Sequence, residues 1–240
     1  MKLNILFPVY NEERRLERGI RKSVEYLRRE KPCAFTLTIV DNDSDDSTKD
    51  IGLALQDEFE EVRYERITMK GVGAAFRHGV SINTADIVGY MDIDLSTDLS
   101  ALKRTVRLFE KYSELDYVNG TRFHKRSRVT GRKPLRRFTS FGLRMLLKLV
   151  FGTRMTDAVC GFTFVRADAA RRLVEECYPE NGWFYTIEFL LRAERAGMKI
   201  KDLPVRWRED YDTTVNVGST IRNYLKQMIR LKKTFIREKL

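Results

Sequence analysis

Ile87-Val88-Gly89-Tyr90-Met91-Asp92-Ile93-Asp94 opens with a five-residue run, Ile87 to Met91, and then carries two carboxylates one residue apart. Its length suits a buried strand, and the acids fall where such a strand would turn out of a sheet. Upstream the same grammar repeats. Strand-like Leu3–Val9 precedes an amphipathic stretch from Glu12 to Glu30, Phe35–Val40 precedes a polar-capped helix from about Asp46 to Phe59, and Val62–Arg66 precedes a helix over Val72–Ile82. Strands alternating with helices predict an α/β fold: a mostly parallel sheet flanked by helices, with ligands at the carboxyl ends of the strands. Polar clusters stand at those ends. Asn11-Glu12-Glu13 follows the first strand, Asp41 to Asp46 the second and the Asp92/Asp94 pair the fourth, so three acidic clusters are expected to face one crevice.

The chain has 240 residues, 45 Lys+Arg against 34 Asp+Glu and 42% hydrophobic residues, which describes a folded, basic protein. With no repeat, low-complexity tract or linker, residues 1–240 read as one domain, a ligand-binding half over 1–120 and a basic half over 121–240. Cys33, Cys160 and Cys177 are odd in number and far apart, against a disulfide framework and in favour of a reducing, cytoplasmic setting. No run approaches the roughly 18 apolar residues a membrane span needs, and no leader pattern opens the chain.

The charge is gathered in one place. Between Thr121 and Thr156 there are eleven Lys and Arg and no acid, equal to the +11 net charge of the whole chain. Within that stretch Leu135, Phe138, Phe141, Met145, Leu146 and Leu149 recur at helical spacing beside Arg137, Arg144 and Lys148, and a second such pattern runs from Ile221 to Arg237. Basic amphipathic helices of this kind suit an anionic membrane surface.

Two carboxylates at one turn can share a hard divalent cation, Mg²⁺ or Mn²⁺, with the phosphates of a substrate. An isolated Asp-x-Asp is as easily a pair of solvated turn residues. Here Lys70-Gly71-Val72-Gly73-Ala74-Ala75 accompanies it, a small-residue helix start beside a cation that can approach a diphosphate through backbone N–H groups. It lacks the third glycine of a dinucleotide fingerprint and is no P-loop. His78 and His124 lie in different motifs, Cys160 reads as small core, and Trp183 and Trp207 are expected to pack in the core more readily than on a sugar.

Phe7-Pro8-Val9-Tyr10-Asn11-Glu12-Glu13, Val40 to Thr48, Gly71-x-Gly73-x-Ala75, Asp92-Ile93-Asp94-Leu95-Ser96 and Gly120-Thr121-Arg122, taken in order, resemble the inverting family-two glycosyltransferases of GT-A fold. The resemblance is to the polyprenyl-phosphate branch, the dolichyl-phosphate mannose synthases and glucosyltransferases. It extends through Asp157-Ala158-Val159-Cys160-Gly161-Phe162, Gly182 to Glu188 and Leu203-Pro204-Val205-x-Trp207. It implies transfer of one sugar from a UDP-glucose or GDP-mannose type donor to a polyprenyl phosphate, with inversion, at the cytoplasmic membrane face. Pro8, Tyr10, Glu12, Asp41 and Asp43 would hold base and ribose, Lys70 and Gly71 would join the donor set, and Asp92 and Asp94 would hold metal and diphosphate with Ser96 beside them. Arg122, and Arg136 with Ser140, match the positions that bind the lipid phosphate, and Arg122 joins Asp92 and Asp94 as a catalytic residue. A phosphate monoester is a doubly charged nucleophile, and arginine's fork suits it better than lysine.

Two departures stand out. The family's Ser-Lys or Ser-Arg step after the last strand is replaced by Asp212-Thr213-Thr214-Val215-Asn216, and its Phe-Asp-Val-Glu reads Phe184-Tyr185-Thr186-Ile187-Glu188. Gln227-Met228-Ile229-Arg230-Leu231 matches a processive-synthase signature only in part and reads as helix surface. The Asp92 to Thr97 and Asp157 to Phe162 details sit nearer the glucosyltransferase members, which points to a UDP-sugar. Implied partners are the donor, the lipid, an anionic membrane and a separate membrane subunit. Competing readings are a glycosyltransferase for a glycolipid or polysaccharide precursor, a nucleotidyltransferase lacking its Gly-rich loop, and a basic nucleic-acid-binding protein. The last leaves the three acidic clusters unexplained.

Overall fold

The structure, a computed structural model, describes residues 1–132, 134–209 and 217–238. Lys133 and the Asp212–Asn216 departure lie outside them. The expected strands form, as β1 (Lys2–Val9), β2 (Ala34–Asp41), β3 (Val62–Arg66) and β4 (Ile87–Met91). They alternate with α1 (Leu16–Glu30), α2 (Thr48–Glu58) and α3 (Val72–Ser81). The first helix begins four residues later than its charge pattern implies. Asn11 takes φ 55°, and the carbonyl of Glu12 accepts the amides of Arg15 and Leu16, so residues 12–15 form the turn that starts the helix. The second starts at Thr48, after Ser47 at the N-cap position, and Asp46 just outside it braces the start, Oδ1 accepting the Thr48 amide at 2.9 Å.

The rest of the chain adds α4 (Ser100–Lys111), β5 (Tyr117–Thr121), β6 (Arg128–Thr130), α5 (Pro134–Phe151), β7 (Phe162–Arg166), α6 (Ala167–Glu176) and α7 (Phe184–Arg195). It ends with β8 (Ile200–Pro204), β9 (Arg206–Arg208) and α8 (Val217–Arg237). Seven strands make one sheet in the order β3-β2-β1-β4-β7-β5-β8, and β6 pairs with β9 in a small ribbon. Every pairing in the large sheet is parallel except those of β7, which runs against both β4 and β5. β4 is buried along its whole length, as a strand covered on both faces must be.

Alternate residues of the sheet feed two cores. Leu3, Ile5 and Phe7 of β1 meet Ile20 of α1, Leu55 of α2 and Val106 of α4 on one face. On the other, Leu6, Val88 and Tyr90 meet Phe76 of α3, Leu173 of α6 and Phe189 of α7. A third core, Leu147, Phe184, Ile187, Leu191, Met228 and Leu231, joins α5, α7 and α8. α5 and α8 are the two basic amphipathic helices foreseen from the sequence, and they split their apolar residues. Leu147 and Leu231 turn inward, while Phe138, Phe141, Met145 and Leu149 of α5 and Ile221, Leu225 and Ile229 of α8 remain exposed. No helix of the described residues is long and apolar enough to cross a membrane. Gln227 to Leu231 is not helix surface as the sequence implied: Met228 and Leu231 are buried, and Arg230 ion-pairs with Glu188, itself wholly buried on α7.

Candidate active site

At the carboxyl ends of β1 and β2 the two acidic loops hold each other. The Asn11 amide donates to Ser44 Oγ at 2.9 Å, Asn11 Nδ2 to Asp45 Oδ1 at 2.6 Å, and the Glu13 amide to Asp46. Asp41 is wholly buried, accepting from the Ser44 hydroxyl and from the Tyr64 hydroxyl, and Asp43 pairs with Arg66 at 2.8 Å. The expectation of three acidic clusters facing one crevice is therefore corrected. The second cluster wires the loops together, and Asp41 and Asp43 do not line the cavity that opens beside them. That cavity, about 530 Å³, is lined by Pro8, Tyr10, Glu12, Lys70, Gly71, Asp92, Asp94 and Ser96, all singled out in the sequence, and also by Asn42. Lys70 Nζ lies 4.3 Å from the centre of the Tyr10 ring and donates to its hydroxyl at 2.7 Å. Gly71, at φ 123°, turns the chain into α3 and gives its amide to Asn42 Oδ1.

The Asp92/Asp94 turn forms the floor. Leu95 takes the left-handed conformation at φ 55°, and Asp94 receives the Ser96 amide at 2.8 Å on one oxygen and the Ser96 hydroxyl at 2.7 Å on the other. Ser96 thus orients Asp94. Asp92 is half-buried, and burial first, then the Asp94 charge, push its pKa up to about 7. Gly161 presses against it so closely that a Cβ there would stand 1.8 Å from Asp92 Oδ2. A carboxyl raised in pKa by burial and by a second carboxylate close by fits a divalent cation, which would remove the repulsion. Among the described residues no set of three His, Cys, Asp or Glu surrounds such an ion, so a cation here would take its remaining ligands from water and a phosphate-bearing ligand, the habit of Mg²⁺ and its relatives.

A second cavity, about 510 Å³, adjoins the first. Its head carries Arg122, Arg132, Arg136 and Ser140, and its walls are apolar, Leu143 and Leu146 of α5 facing Tyr224, Leu225 and Met228 of α8. The arginines differ. Arg122 makes a bidentate pair with buried Asp157 at 2.7 and 2.9 Å and also reaches the Val159 carbonyl. Arg136 pairs with buried Glu209. Arg132 gives one nitrogen to the Ser140 hydroxyl, but its buried Nε has no hydrogen-bond partner. Burial first, then the Arg122 guanidinium, push the Arg132 pKa down, against a smaller opposing pull from Asp157 and Glu209. Sequence reasoning passed over Arg132 as one basic residue among eleven; only the pairing of its neighbours sets it apart.

Among the described residues, five line both cavities: Asp92, Arg136, Trp183, Trp207 and Glu209. The expectation that the tryptophans pack in the core holds for Trp207, which packs against the first core, and is corrected for Trp183, which is 39% exposed; both stand where the cavities meet. Cys160 is small core as expected, 2% exposed, with burial raising its thiol pKa. Glu209 had no sequence signal beyond lying two residues after Trp207.

The sheet order and the acid pair at the end of β4 define the Rossmann-like GT-A fold of glycosyltransferases. The profile of Glycosyl transferase family 2 matches residues 4–174, and the chain belongs to that family: it is a glycosyltransferase. It is 30% identical over 232 residues to Glycosyltransferase AglD of Haloferax volcanii, covering 96% of this chain but 37% of the archaeal protein's length. It is 29% identical to the dolichyl-phosphate beta-glucosyltransferase ALG5A of Trichomonas vaginalis, covering 92% of this chain and 70% of that one. The mouse dolichyl-phosphate beta-glucosyltransferase is 26% identical, over 87% of this chain and 68% of that one. Among solved structures, glucosyl-3-phosphoglycerate synthase of Mycobacterium tuberculosis, in complex with Mn²⁺, UDP and glucosyl-3-phosphoglycerate, superposes with a TM-score of 0.73. It is 16% identical, over 97% of this chain and 80% of that one, and shares the fold.

Proposed function

We propose that this glycosyltransferase moves one hexose from a nucleoside-diphosphate sugar, of UDP-glucose type, to a polyprenyl phosphate. The observation that carries the reading is the meeting of a carboxylate-floored cavity with an arginine-headed, apolar-walled one at a common boundary. Nucleotide and diphosphate suit the first; a phosphate on an isoprenoid chain suits the second. The dolichyl-phosphate glucosyltransferase relatives favour this acceptor over a glycolipid or polysaccharide precursor.

In this reading residues 1–240 act as one domain, 1–120 supplying most of the donor site and 121–240 the acceptor and membrane side. Pro8, Tyr10, Glu12, Lys70 and Gly71 bind the nucleotide, with Asp41 and Asp43 acting from behind through the loops they brace. Asp92 and Asp94, the latter held by Ser96, would bind Mg²⁺ or Mn²⁺, and the relationship to Mn²⁺-bound structures agrees. A divalent cation there supplies charge to offset the departing diphosphate. Arg132, Arg136 and Ser140 bind the acceptor phosphate, with Arg122 fixed by Asp157 as the rigid wall behind them. An acceptor oxygen forms its bond to the sugar's anomeric carbon as the bond to the diphosphate breaks, and the electron pair leaves with the nucleotide. Attack opposite the leaving group inverts that carbon. The attacking oxygen is already anionic, so no protein base is needed, and the chain's work is positioning and electrostatic stabilisation.

The exposed apolar stripes of α5 and α8, flanked by Arg137, Arg144 and Lys148, support peripheral attachment to an anionic cytoplasmic membrane face. A separate membrane subunit is a further partner of the same surface. UDP or GDP release, with donor and polyprenyl phosphate varied separately, tests the function. Transfer from UDP-glucose that requires the lipid and divalent cation, and is lost with metal-dependent donor binding in Asp94→Ala, is expected. Turnover indifferent to polyprenyl phosphate would overturn it.

A further inference from the structure

Glu209 stands at the boundary of the two cavities with its side chain 2% exposed. Oε1 is taken by Arg136, while Oε2 is buried with no hydrogen-bond partner. A buried carboxylate oxygen left unpartnered is costly, so its place in a cavity wall calls for a ligand that carries a donor. The proposed reaction says which ligand occupies this spot. The anomeric carbon must lie between the leaving diphosphate and the incoming phosphate, so the hexose sits where the cavities meet. Neither phosphate suits Glu209, because like charge repels. A sugar hydroxyl is neutral and donates. Trp183 and Trp207 share the boundary; the Trp207 ring lies under the guanidinium groups of Arg122 and Arg132, while Trp183, 39% exposed, is the aromatic side chain left for the C–H side of such a ring.

Resting on that reading of donor and acceptor, we propose that Glu209 is a sugar-specificity residue whose Oε2 accepts a hydrogen bond from one hydroxyl of the transferring hexose. Arg136 holds Oε1 and so aims the carboxylate, and the backbone is pinned by the Glu209 amide donating to the Thr130 carbonyl at 3.1 Å. A site built around a hydroxyl rejects the analogue that lacks it, because the buried acceptor is then stranded.

The test is calorimetric and needs no acceptor. With Mn²⁺ present, UDP, UDP-glucose and the monodeoxy analogues of UDP-glucose are titrated into wild type, Glu209→Gln and Glu209→Ala. In wild type one analogue should bind about tenfold or more weakly than UDP-glucose, the range for a hydrogen bond to a charged group. In Glu209→Ala that penalty should vanish, and in isosteric Glu209→Gln it should shrink severalfold, while affinity for UDP alone stays that of wild type. If no deoxy analogue is penalised, or the penalty survives in both variants, the assignment is overturned. If wild type binds UDP-glucose no better than an unrelated nucleotide, the proposed function falls first and this assignment with it.

Discussion

Gly161, just before β7, and Asp92, just after β4, touch where those neighbouring strands meet: the space a Cβ at 161 would need is filled by the Asp92 carboxyl, 1.8 Å away at Oδ2 and 2.3 Å at Cγ. The requirement is one of room. Gly161→Ala should therefore fold but turn Asp92 off the cavity floor, and misplacement on this scale costs roughly 100-fold in rate. Steady-state kinetics beside circular dichroism checks it, and an alanine variant with wild-type kcat/KM would show that the Asp92 position is immaterial.

Asp92 also sets a pH dependence. Its carboxyl ionises near pH 7 in the folded chain but near pH ~4 when unfolded, so the unfolded state gives up its proton first. Stability from this group accordingly falls as pH rises from about 4 to about 7 and stays low above. In chelator, Asp92→Asn should melt a few degrees above wild type at pH 8, with the gap closing toward pH ~4. Thermal scans across that range measure it; a gap that is constant with pH would contradict it.

Arg132 and Arg122 should fail differently. Removing Arg132, which has no acidic partner among its hydrogen bonds, should raise the KM for polyprenyl phosphate about tenfold and leave donor KM and folding nearly unchanged. Arg122→Ala strands buried Asp157 and should cost about 3–5 kcal/mol of stability. Denaturant titration together with acceptor-dependent kinetics separates the two, and the opposite pattern would move the phosphate to Arg122.

Flotation with vesicles addresses the surface. Phe138 and Leu149 are 76% and 84% exposed on one side of α5, and the charges beside them each add roughly 1 kcal/mol near anionic lipid. Wild type should float with anionic vesicles and much less with neutral ones, and Phe138→Glu with Leu149→Glu should stay at the bottom while still binding UDP. Equal recovery on both lipids would remove the electrostatic part.

Much of this was readable in advance wherever one local rule decided the outcome. β4 fell where its apolar run lay and β3 over the expected Val62–Arg66, and the basic helices emerged as α5 and α8 with boundaries shifted by a residue or a few. Helix starts were less legible, because Asn11 and Asp46 act through loop hydrogen bonds that charge patterns do not encode. The donor-side motifs also came together, since each sits at the end of a parallel strand. The tryptophans, Arg132 and Glu209 did not announce themselves. Their importance comes from what their neighbours lack or leave open, such as the unpartnered Nε and Oε2, and pairing across dozens of residues has no periodic trace in a chain.

β7 is the one strand of the large sheet that runs backwards, and its direction fixes the geometry of the reaction. Because it is antiparallel, the peptide entering it arrives beside the end of β4, and residues 157–161 touch both cavities' charged groups: Asp157 clamps Arg122 and Gly161 cradles Asp92. Run the other way, a strand of this length would carry that peptide ~16 Å to the far edge of the sheet. In the proposed reaction the distance from leaving group to nucleophile is thus ruled by a single pentapeptide, Asp157-Ala158-Val159-Cys160-Gly161. Lengthening it by even one residue would put the two halves of the chemistry out of step while leaving each intact.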